Sequence, residues 1–303
     1  MKNLTSELIR SLLPVRPQTA NKGSFGRVLV VAGSRTMCGA GFLCAKSALL
    51  AGAGLVYWAL PQSMQPAFAA ALPEVITLPL PENLQGEISF SAFRVLTHFF
   101  AEKKPSVAVV GPGMGSSPLL RMFLEEAPLP LVADADALNF LARREDWPEH
   151  WPQNRSSIFT PHPGEMARLL HTEIATDEST RQEQVRTLCR LINSVTLLKG
   201  NGTLVGCPNG EDVQLWQNTT GGPALAKAGT GDVLSGIIAG LWAQLGQAEG
   251  FGTESALKAA LCGVYLHGLA GDLAAAQKTD YGVLARFSAD CLPLAFKRVL
   301  ATK

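Results

Sequence analysis

The stretch RVLVVAGS, residues 27–34, decides the fold class, because it has the pattern of a buried β-strand that runs directly into a glycine-rich loop. Its apolar residues are continuous rather than alternating, as expected for a strand covered on both faces. The residues that follow, 40–50, have the apolar spacing of a helix. A strand, a glycine-rich loop and a helix in this order predict a parallel α/β unit.

The same pattern recurs outward from this stretch. Further apolar runs predict strands at 54–60, 106–115, 129–136, 156–165 and 194–202. Helical spacing predicts helices at 118–126, 137–144, 164–171 and 179–193, and in the Ala- and Leu-rich C-terminal third at 232–245, 255–276 and 288–299. Strands alternating with helices indicate an α/β fold whose parallel sheet is covered on both faces. No linker, charge block or fixed-period repeat divides the chain, so we expect a single domain, 1–303.

Composition excludes several classes of protein. The net charge is +1 and the basic residues are dispersed, so no basic stripe for nucleic acid is present. The six cysteines form no CxxC pair, which argues for reduced, mostly buried thiols. The N-terminal segment contains Glu7 and Arg10 among its leucines, unlike a signal peptide, and no apolar run reaches the about 20 residues of a membrane span. We therefore expect a cytoplasmic protein that does not bind membranes.

Small and polar residues gather where the predicted strands end. In an open parallel sheet, ligands bind at the carboxyl ends of the strands. The residues concerned are Gly33 with Gly39 and Gly41, residues 111–115, Asp134 with Asp136 and Asn139, residues 160–165, and residues 199–203. Their coincidence across the strands predicts one ligand site at this edge of the sheet.

The turn KGNGT follows the apolar run VTLL and has two interpretations. Its glycines would let backbone N–H groups approach a phosphate or ribose closely, and Lys199 would supply a positive charge. Asn-Gly is also the common signature of a hairpin turn between two strands. The two interpretations are compatible, and both stay open from the sequence.

The segment AGTGDVLSGIIAG places Asp232 between two glycines, Gly229 and Gly231, and a long apolar run. The glycines leave the amides of a helix N-terminus uncovered, where the partial positive charge suits an anion that gains negative charge during a reaction. Asp232 would lie beside that anion, in the first turn. Helix capping by Asp, worth about 1 kcal/mol, is the alternative. We favour catalysis, since a cap needs neither the glycines nor a second phosphate-type loop.

Three other positions have open interpretations. His162 lies between two prolines that stiffen its loop, so it either contacts a ligand or is an ordinary satisfied histidine. Asp134 ends a strand and would hold a hydroxyl or a magnesium-bound water, or cap the next helix. The loop 111–115 either admits a ligand close to its backbone or is a tight turn. No HxH or HExxH pattern occurs, so we assign no metal ligand.

Taken in order, seven motifs resemble the ADP- or ATP-dependent NAD(P)H-hydrate dehydratases, members of the ribokinase-like superfamily. The motifs are GSFGRVLVVAGS, GAGFLCAKSALLAGAGLV, VVGPGMG, LVADADALN, FTPHPGEMARLL, LLKGNGT and TTGGPALAKAGTGDVLSGIIAGLWAQ. The resemblance runs from Lys22 to the C-terminus, and seven motifs at plausible spacings make it specific. It implies a three-layer α/β/α domain with a mostly parallel central sheet.

The resemblance also implies a repair reaction. A nicotinamide cofactor hydrated at C6, NADHX or NADPHX in its S epimer, is dehydrated back to NADH or NADPH at the expense of ADP or ATP. Phosphorylation makes the C6 hydroxyl a good leaving group, and elimination of phosphate restores the conjugated ring. Asp232 is similar to the family's catalytic base. By the same matching, the nucleotide would contact Lys199, Gly200, Asn201, Gly202, Thr203, Gly229, Thr230 and Gly231, and the hydrate would contact Ala40, Gly113, His162 and Asp232.

Cofactors and partners follow from the resemblance. Mg²⁺ is expected with the nucleotide, through water held near Glu165 or Asp134, and the family suggests a homotetramer. Many relatives carry an N-terminal epimerase domain, for which the residues before Lys22 are too few. We therefore expect a separate epimerase or spontaneous epimerisation.

Three other functions stay open from the sequence. A ribokinase-like kinase for a small alcohol would share the anion site and the aspartate. A nucleotide-binding regulatory protein without activity is a second alternative, against which Asp232 in its glycine context argues. A dinucleotide-dependent oxidoreductase ranks last, because VAGSRTMCGAG lacks the GxGxxG fingerprint.

Overall fold

The computed structural model describes residues 1–301, and within them ten strands form one sheet between layers of helices. The strands are β1 Lys2–Asn3, β2 Arg27–Val31, β3 Leu55–Pro61, β4 Ile76–Leu80, β5 Val107–Val110, β6 Leu131–Ala133, β7 Ser157–Phe159, β8 Val195–Leu198, β9 Leu204–Asn209 and β10 Asp212–Gln217. The helices are α1 Ser6–Leu12, α2 Cys38–Leu50, α3 Gln65–Ala71, α4 Ala92–Lys103, α5 Leu119–Glu126, α6 Asp136–Ala142, α7 Trp147–His150, α8 Pro163–Leu170, α9 Glu178–Ile192, α10 Thr230–Glu249, α11 Thr253–Gly282, α12 Ala285–Asp290 and α13 Leu292–Leu300.

The strand order across the sheet is β1-β10-β9-β8-β7-β6-β5-β2-β3-β4. Every neighbouring pair is parallel except the two pairs that include β9. The prediction of a mostly parallel sheet is confirmed. From β2 the chain continues to β3 and β4 on one side and later returns to β5 on the other. The reversal point lies at the carboxyl ends of β2 and β5, the place where open α/β sheets bind ligands.

Successive side chains of one strand enter two different hydrophobic cores. Val28 and Val30 of β2 pack into the core beneath α1, α2 and α10 to α13, whereas Leu29 and Val31 pack into the core beneath α4, α5, α6, α8 and α9. Because both faces of the sheet are covered by helices, both sets of side chains must be apolar, which explains the continuous run in the sequence. The expected three-layer α/β/α arrangement is confirmed.

Two long helices fill the layer on the first face. α10 is buried on almost every side from Thr230 to Gly246, and it approaches α2 so closely that a Cβ on Gly236 would lie 2.1 Å from the carbonyl oxygen of Cys44. By length and composition, α11 could cross a membrane, but 72% of its most apolar window is buried inside the structure. Burial to this extent is what a core helix of a globular domain requires.

The C-terminal helix differs from its prediction. Instead of one helix at 288–299, the chain forms α12 and α13, which meet at Cys291. Pro293 lies in the first turn of α13, where its missing N–H costs nothing, whereas the interior of a continuous helix would lose a hydrogen bond there. The predicted strands at 27–34, 54–60, 106–115, 129–136, 156–165 and 194–202 are confirmed as β2, β3, β5, β6, β7 and β8, all with shorter extents except β3.

The cysteines behave as their spacing predicts. All six thiols are free, five of them are buried, and Cys38 at the start of α2 is half-buried. No disulfide joins any two cysteines within residues 1–301. The structure therefore rests on its two cores rather than on covalent links.

Candidate active site

The predicted ligand site is built where the loops after β2 and β5 meet. The amide of Gly33 donates a 2.8 Å hydrogen bond to the carbonyl of Pro112, which ties the two loops together. A Cβ on Gly113 would lie 2.8 Å from the Cβ of Ala40, so the loop after β5 lies directly against the start of α2. Two of the residues predicted for the hydrate pocket, Ala40 and Gly113, are thus neighbours.

Two aspartates after β6 point in different directions because the residue between them has an unusual backbone. Ala135 has φ 49° and ψ −115°, a conformation that costs about 1–3 kcal/mol for a residue with a Cβ. Asp134 accepts a 2.6 Å bond from the Lys199 ammonium, and Asp136 accepts a 2.8 Å bond from the Gly115 amide. Neither side chain caps α6, so the capping alternative for Asp134 is wrong.

Lys199 is the central cation of the site. Its Nζ lies 2.6 Å from Asp134 Oδ1 and 3.8 Å from Glu165 Oε2, and its side chain is only 17% exposed. Burial alone would lower the pKa of Lys199, but the charges of Asp134 and Glu165 outweigh burial and raise it. A Cβ on Gly231 would lie 3.3 Å from the same Nζ. A permanent positive charge therefore lies at the start of α10.

The KGNGT turn connects β8 to β9, which pair antiparallel, so its hairpin interpretation is confirmed. Arg181 of α9 donates a 3.1 Å bond to the carbonyl of Gly202 and holds the turn from behind. A cavity of about 450 Å³ opens beside the turn. Its walls are Gly200, Asn201, Gly202, Thr220, Gly221, Gly222, Pro223, Leu225 and Ala226. Four of the nine lining residues are glycines, which also fits the nucleotide interpretation.

The N-terminus of α10 leaves backbone donors available. Gly229 precedes the helix with φ 90°, a left-handed conformation that a residue with a Cβ adopts only with strain. The hydroxyl of Thr230 bonds back to the carbonyls of Leu225 and Lys227, and its amide donates to the same Lys227 carbonyl, so Thr230 offers a ligand no free donor. Among residues 1–301, the amides of Gly231 and Asp232 have no hydrogen-bond acceptor. Together with the helix dipole, they form an anion site.

Asp232 lies in the first turn of α10 but does not cap it. The residue at the cap is Gly229, and no side chain bonds to the free amides, so the capping alternative is wrong here too. Burial raises the pKa of Asp232 to about 7; Asp134 adds to the increase, and Lys199 opposes it. Half-ionised near neutral pH, this carboxylate is suited to accept a proton beside a bound anion.

His162 caps a helix and also lies at the exposed edge of the site. Its Nδ1 accepts hydrogen bonds from the amides of Gly164 (3.0 Å) and Glu165 (3.3 Å) at the start of α8. Burial, assisted by the charges of Lys199 and Arg168, lowers its pKa and keeps the ring neutral. Its proton is then on Nε2, 3.4 Å from Glu165 Oε1. The side chain is half exposed, so capping leaves the ring accessible to a ligand.

Sequence reasoning missed Ser235. Its hydroxyl donates a 2.7 Å bond to Asp134 Oδ2 and lies 3.1 Å from the carbonyl of Gly231. Ser235 thereby connects the aspartate that holds Lys199 to the same helix that carries Asp232. The available signal was a single hydroxyl in the apolar run VLSGIIAG, placed three residues after the acid and so on the same helix face.

Comparison with known proteins finds relatives that cover almost the whole chain. The family model for NAD(P)H-hydrate dehydratase matches residues 28–293. An ADP-dependent (S)-NAD(P)H-hydrate dehydratase from Xanthomonas campestris pv. campestris is 36% identical over 94% of the chain and 93% of that protein. The ADP/ATP-dependent NAD(P)H-hydrate dehydratase from Bacillus subtilis, co-crystallised with ATP and Mg²⁺, superimposes with a TM-score of 0.79 at 28% identity and covers 98% of both chains.

Other relatives are longer. The bifunctional NAD(P)H-hydrate repair enzyme Nnr from Moorella thermoacetica is 41% identical over 98% of the chain, which spans 54% of that protein. The chain therefore spans about half the length of such bifunctional relatives.

Proposed function

The chain belongs to the NAD(P)H-hydrate dehydratase family, and we propose that it converts the S epimer of NADHX or NADPHX back to NADH or NADPH at the expense of ADP or ATP. Its fold is ribokinase-like. The observation that carries the proposal is the Asp232 carboxyl, with a pKa of about 7, in the same helix turn as two backbone amides without an acceptor. This arrangement serves a phosphoryl transfer to a hydroxyl group.

In the first step, the Asp232 carboxylate takes the proton of the C6 hydroxyl while that oxygen attacks the terminal phosphorus of the nucleotide. The bond from phosphorus to the leaving nucleotide breaks, and AMP departs when ADP is the donor. The amides of Gly231 and Asp232 and the ammonium of Lys199 stabilise charge on the phosphoryl oxygens. In the second step, phosphate leaves C6 with loss of a ring proton, and the conjugated dihydropyridine is restored.

The cavity beside the KGNGT turn is the proposed nucleotide pocket. Its glycine-rich walls allow a ribose or base to lie against the backbone, and Lys199 stands between this cavity and the start of α10. The hydrate then enters from the other side, past Ala40, Gly113 and His162. The two ligands approach Asp232 from opposite directions, as an in-line transfer requires.

Mg²⁺ is part of the proposal, and the carboxylates of the site fit it as ligands that act through water. Within residues 1–301, no group of three or more His, Cys, Asp or Glu side chains could hold a metal ion alone. Mg²⁺ keeps several waters and needs only one or two carboxylates besides substrate phosphates. Asp134 and Glu165, both next to Lys199, would hold it through water. When bound, it would neutralise charge on the nucleotide phosphates.

The test is a turnover assay with the purified chain. NADH hydrate, Mg²⁺ and either ADP or ATP are mixed with the protein, and recovery of the reduced nicotinamide absorbance and release of inorganic phosphate are followed together. We expect one phosphate for each cofactor repaired. A stable phosphorylated product without recovery of NADH would mean a kinase instead. The homotetramer, a separate epimerase and the cytoplasmic location stay predictions.

A further inference from the structure

Two exposed arginines lie at the outer rim of the site without a carboxylate partner. Arg168 of α8 donates from Nε (3.1 Å) and Nη2 (2.8 Å) to Asn139 Oδ1, and Arg143, which ends α6, donates a 3.4 Å bond to Ser116 Oγ. No ion pair among residues 1–301 includes either guanidinium. Both arginines are therefore tethered by neutral oxygens, and the carboxylates of Asp136 and Glu165 act on them only from beyond ion-pair distance.

Both arginines lie beside the loops that carry residues of the proposed hydrate pocket. A Cβ on Gly164 would lie 3.5 Å from Arg168 Nη1, and Arg168 contributes to the lowered pKa of His162 after burial and Lys199. Arg143 is bonded to the residue that directly follows the 111–115 loop, which contains Gly113. The two arginines thus flank the pocket on its α6 and α8 side.

Their position at the rim fits a dinucleotide. Lys199 is largely buried, with its ammonium beside the place of a Cβ on Gly231, whereas Arg168 is exposed, with Nη1 beside Gly164 at the start of α8. Lys199 is therefore the inner cation of the site and Arg168 an outer one. In a hydrated nicotinamide dinucleotide, a ribose separates the reacting ring from the diphosphate, so the diphosphate lies farther from the reacting atoms than the ring does.

We propose that Arg143 and Arg168 bind the diphosphate of the hydrated dinucleotide and so select full-length cofactors over nicotinamide fragments. This inference rests on the proposed function. A guanidinium binds phosphate oxygens in a bidentate manner, and two of the five N–H donors of Arg168 reach Asn139, which leaves donors for such a contact.

The experiment compares two substrates in matched variants. Wild type, Arg168→Gln, Arg143→Gln and the control Arg186→Gln are assayed with NADH hydrate and with hydrated dihydronicotinamide riboside, which has no phosphate. Arg186 is a suitable control because it pairs with Asp212, 3.0 Å away, on the far edge of the sheet. We expect Arg168→Gln to lower kcat/KM for NADH hydrate by about 10–100-fold and to leave the riboside rate and the KM for ADP unchanged.

Several outcomes would overturn the inference. An equal loss on both substrates means that Arg168 only holds α8 to α6, and a raised KM for ADP means that it serves the nucleotide. If wild type does not turn over the riboside, the second assay is inhibition by inorganic pyrophosphate, measured in competition with NADH hydrate. An inhibition constant that is the same in wild type and in Arg168→Gln refutes the diphosphate site. If Arg168→Gln does not fold, Arg143→Gln carries the same test. If wild type does not convert NADH hydrate to NADH with either ADP or ATP, the proposed function itself is refuted.

Discussion

At the scale of single residues, one carboxyl group determines what the site can do. Asp232→Asn keeps the size and polarity of the side chain but removes its ability to take a proton. We expect turnover to fall by about 10²–10⁴-fold while ADP still binds, because the amides and Lys199 remain. Turnover assays and calorimetric titration with ADP measure the two effects separately. Retained turnover would exclude Asp232 as the base.

The acidity of the same group predicts a pH dependence. Asp232 must be ionised to act as a base, and burial raises its pKa to about 7. We therefore expect kcat/KM to fall about tenfold per pH unit below that value and to level off above it. An acid limb centred near the ordinary pKa of aspartate would mean that the Asp232 carboxyl is solvated in the free enzyme.

Stability should depend on this carboxyl in the opposite sense. Because the pKa is raised to about 7 in the folded protein, from 3.8 without the fold, ionised Asp232 destabilises the native state, most strongly above pH 7. Asp232→Asn should therefore raise the melting temperature, by about 5 °C near pH 8. The gain should shrink steadily below pH 7 and vanish near pH 4, because the carboxyl of the unfolded chain is then protonated as well. A gain that is constant with pH would contradict this origin.

Residue-level prediction from the sequence succeeds where a local pattern exists. The glycines around Asp232 placed it correctly at a helix start, and the two prolines indicated the stiff loop of His162. The Asp134 contacts with Lys199 and Ser235 join residues 65 and 101 positions apart. Such contacts depend on sheet order, which a single sequence does not specify, so the sequence does not distinguish between the roles open to Asp134.

At the scale of elements, α10 and α2 form the tightest contact near the site. A Cβ on Gly236 would lie 2.1 Å from the carbonyl of Cys44, so a methyl group there must push the helices apart. We expect Gly236→Ala to destabilise the protein by about 1–3 kcal/mol or more and to weaken activity, since α10 carries Asp232. Thermal denaturation measures the change.

The control lies in the partner helix. Gly39 of α2 has nothing within 4 Å of the place of a Cβ, so Gly39→Ala should leave the melting temperature unchanged or slightly higher. Equal losses in both variants would mean that glycine matters for its flexibility rather than for helix approach.

Elements were predictable from the sequence where their apolar runs were uninterrupted. β2, β3 and β5 to β8 are central, and burial on both faces makes their patterns continuous. The edge strand β4 was missed, because Pro79 interrupts its run and several of its residues are partly or fully exposed. β1 and α1 are also not predicted. For β1 the reason is that a strand of two residues has no pattern of its own.

At the scale of the whole molecule, the two cores share one sheet. Each central strand contributes side chains to both cores. Unfolding of the strands that line one core would therefore also expose the other core. We expect a single calorimetric unfolding transition whose van 't Hoff and calorimetric enthalpies agree, consistent with the predicted single domain. ADP should move this transition upward as a whole. Two separate transitions would contradict shared cores.

The thiols of the molecule offer a practical consequence. Within residues 1–301, Cys38 is the one cysteine that is not buried, and the carbonyl of the preceding residue, Met37, lies 2.7 Å from the place of a Cβ on Gly113. A maleimide dye would therefore attach at a single position, beside the proposed hydrate pocket. The native chain thus carries its own attachment point for a fluorescent reporter of substrate arrival, with no cysteine to remove first.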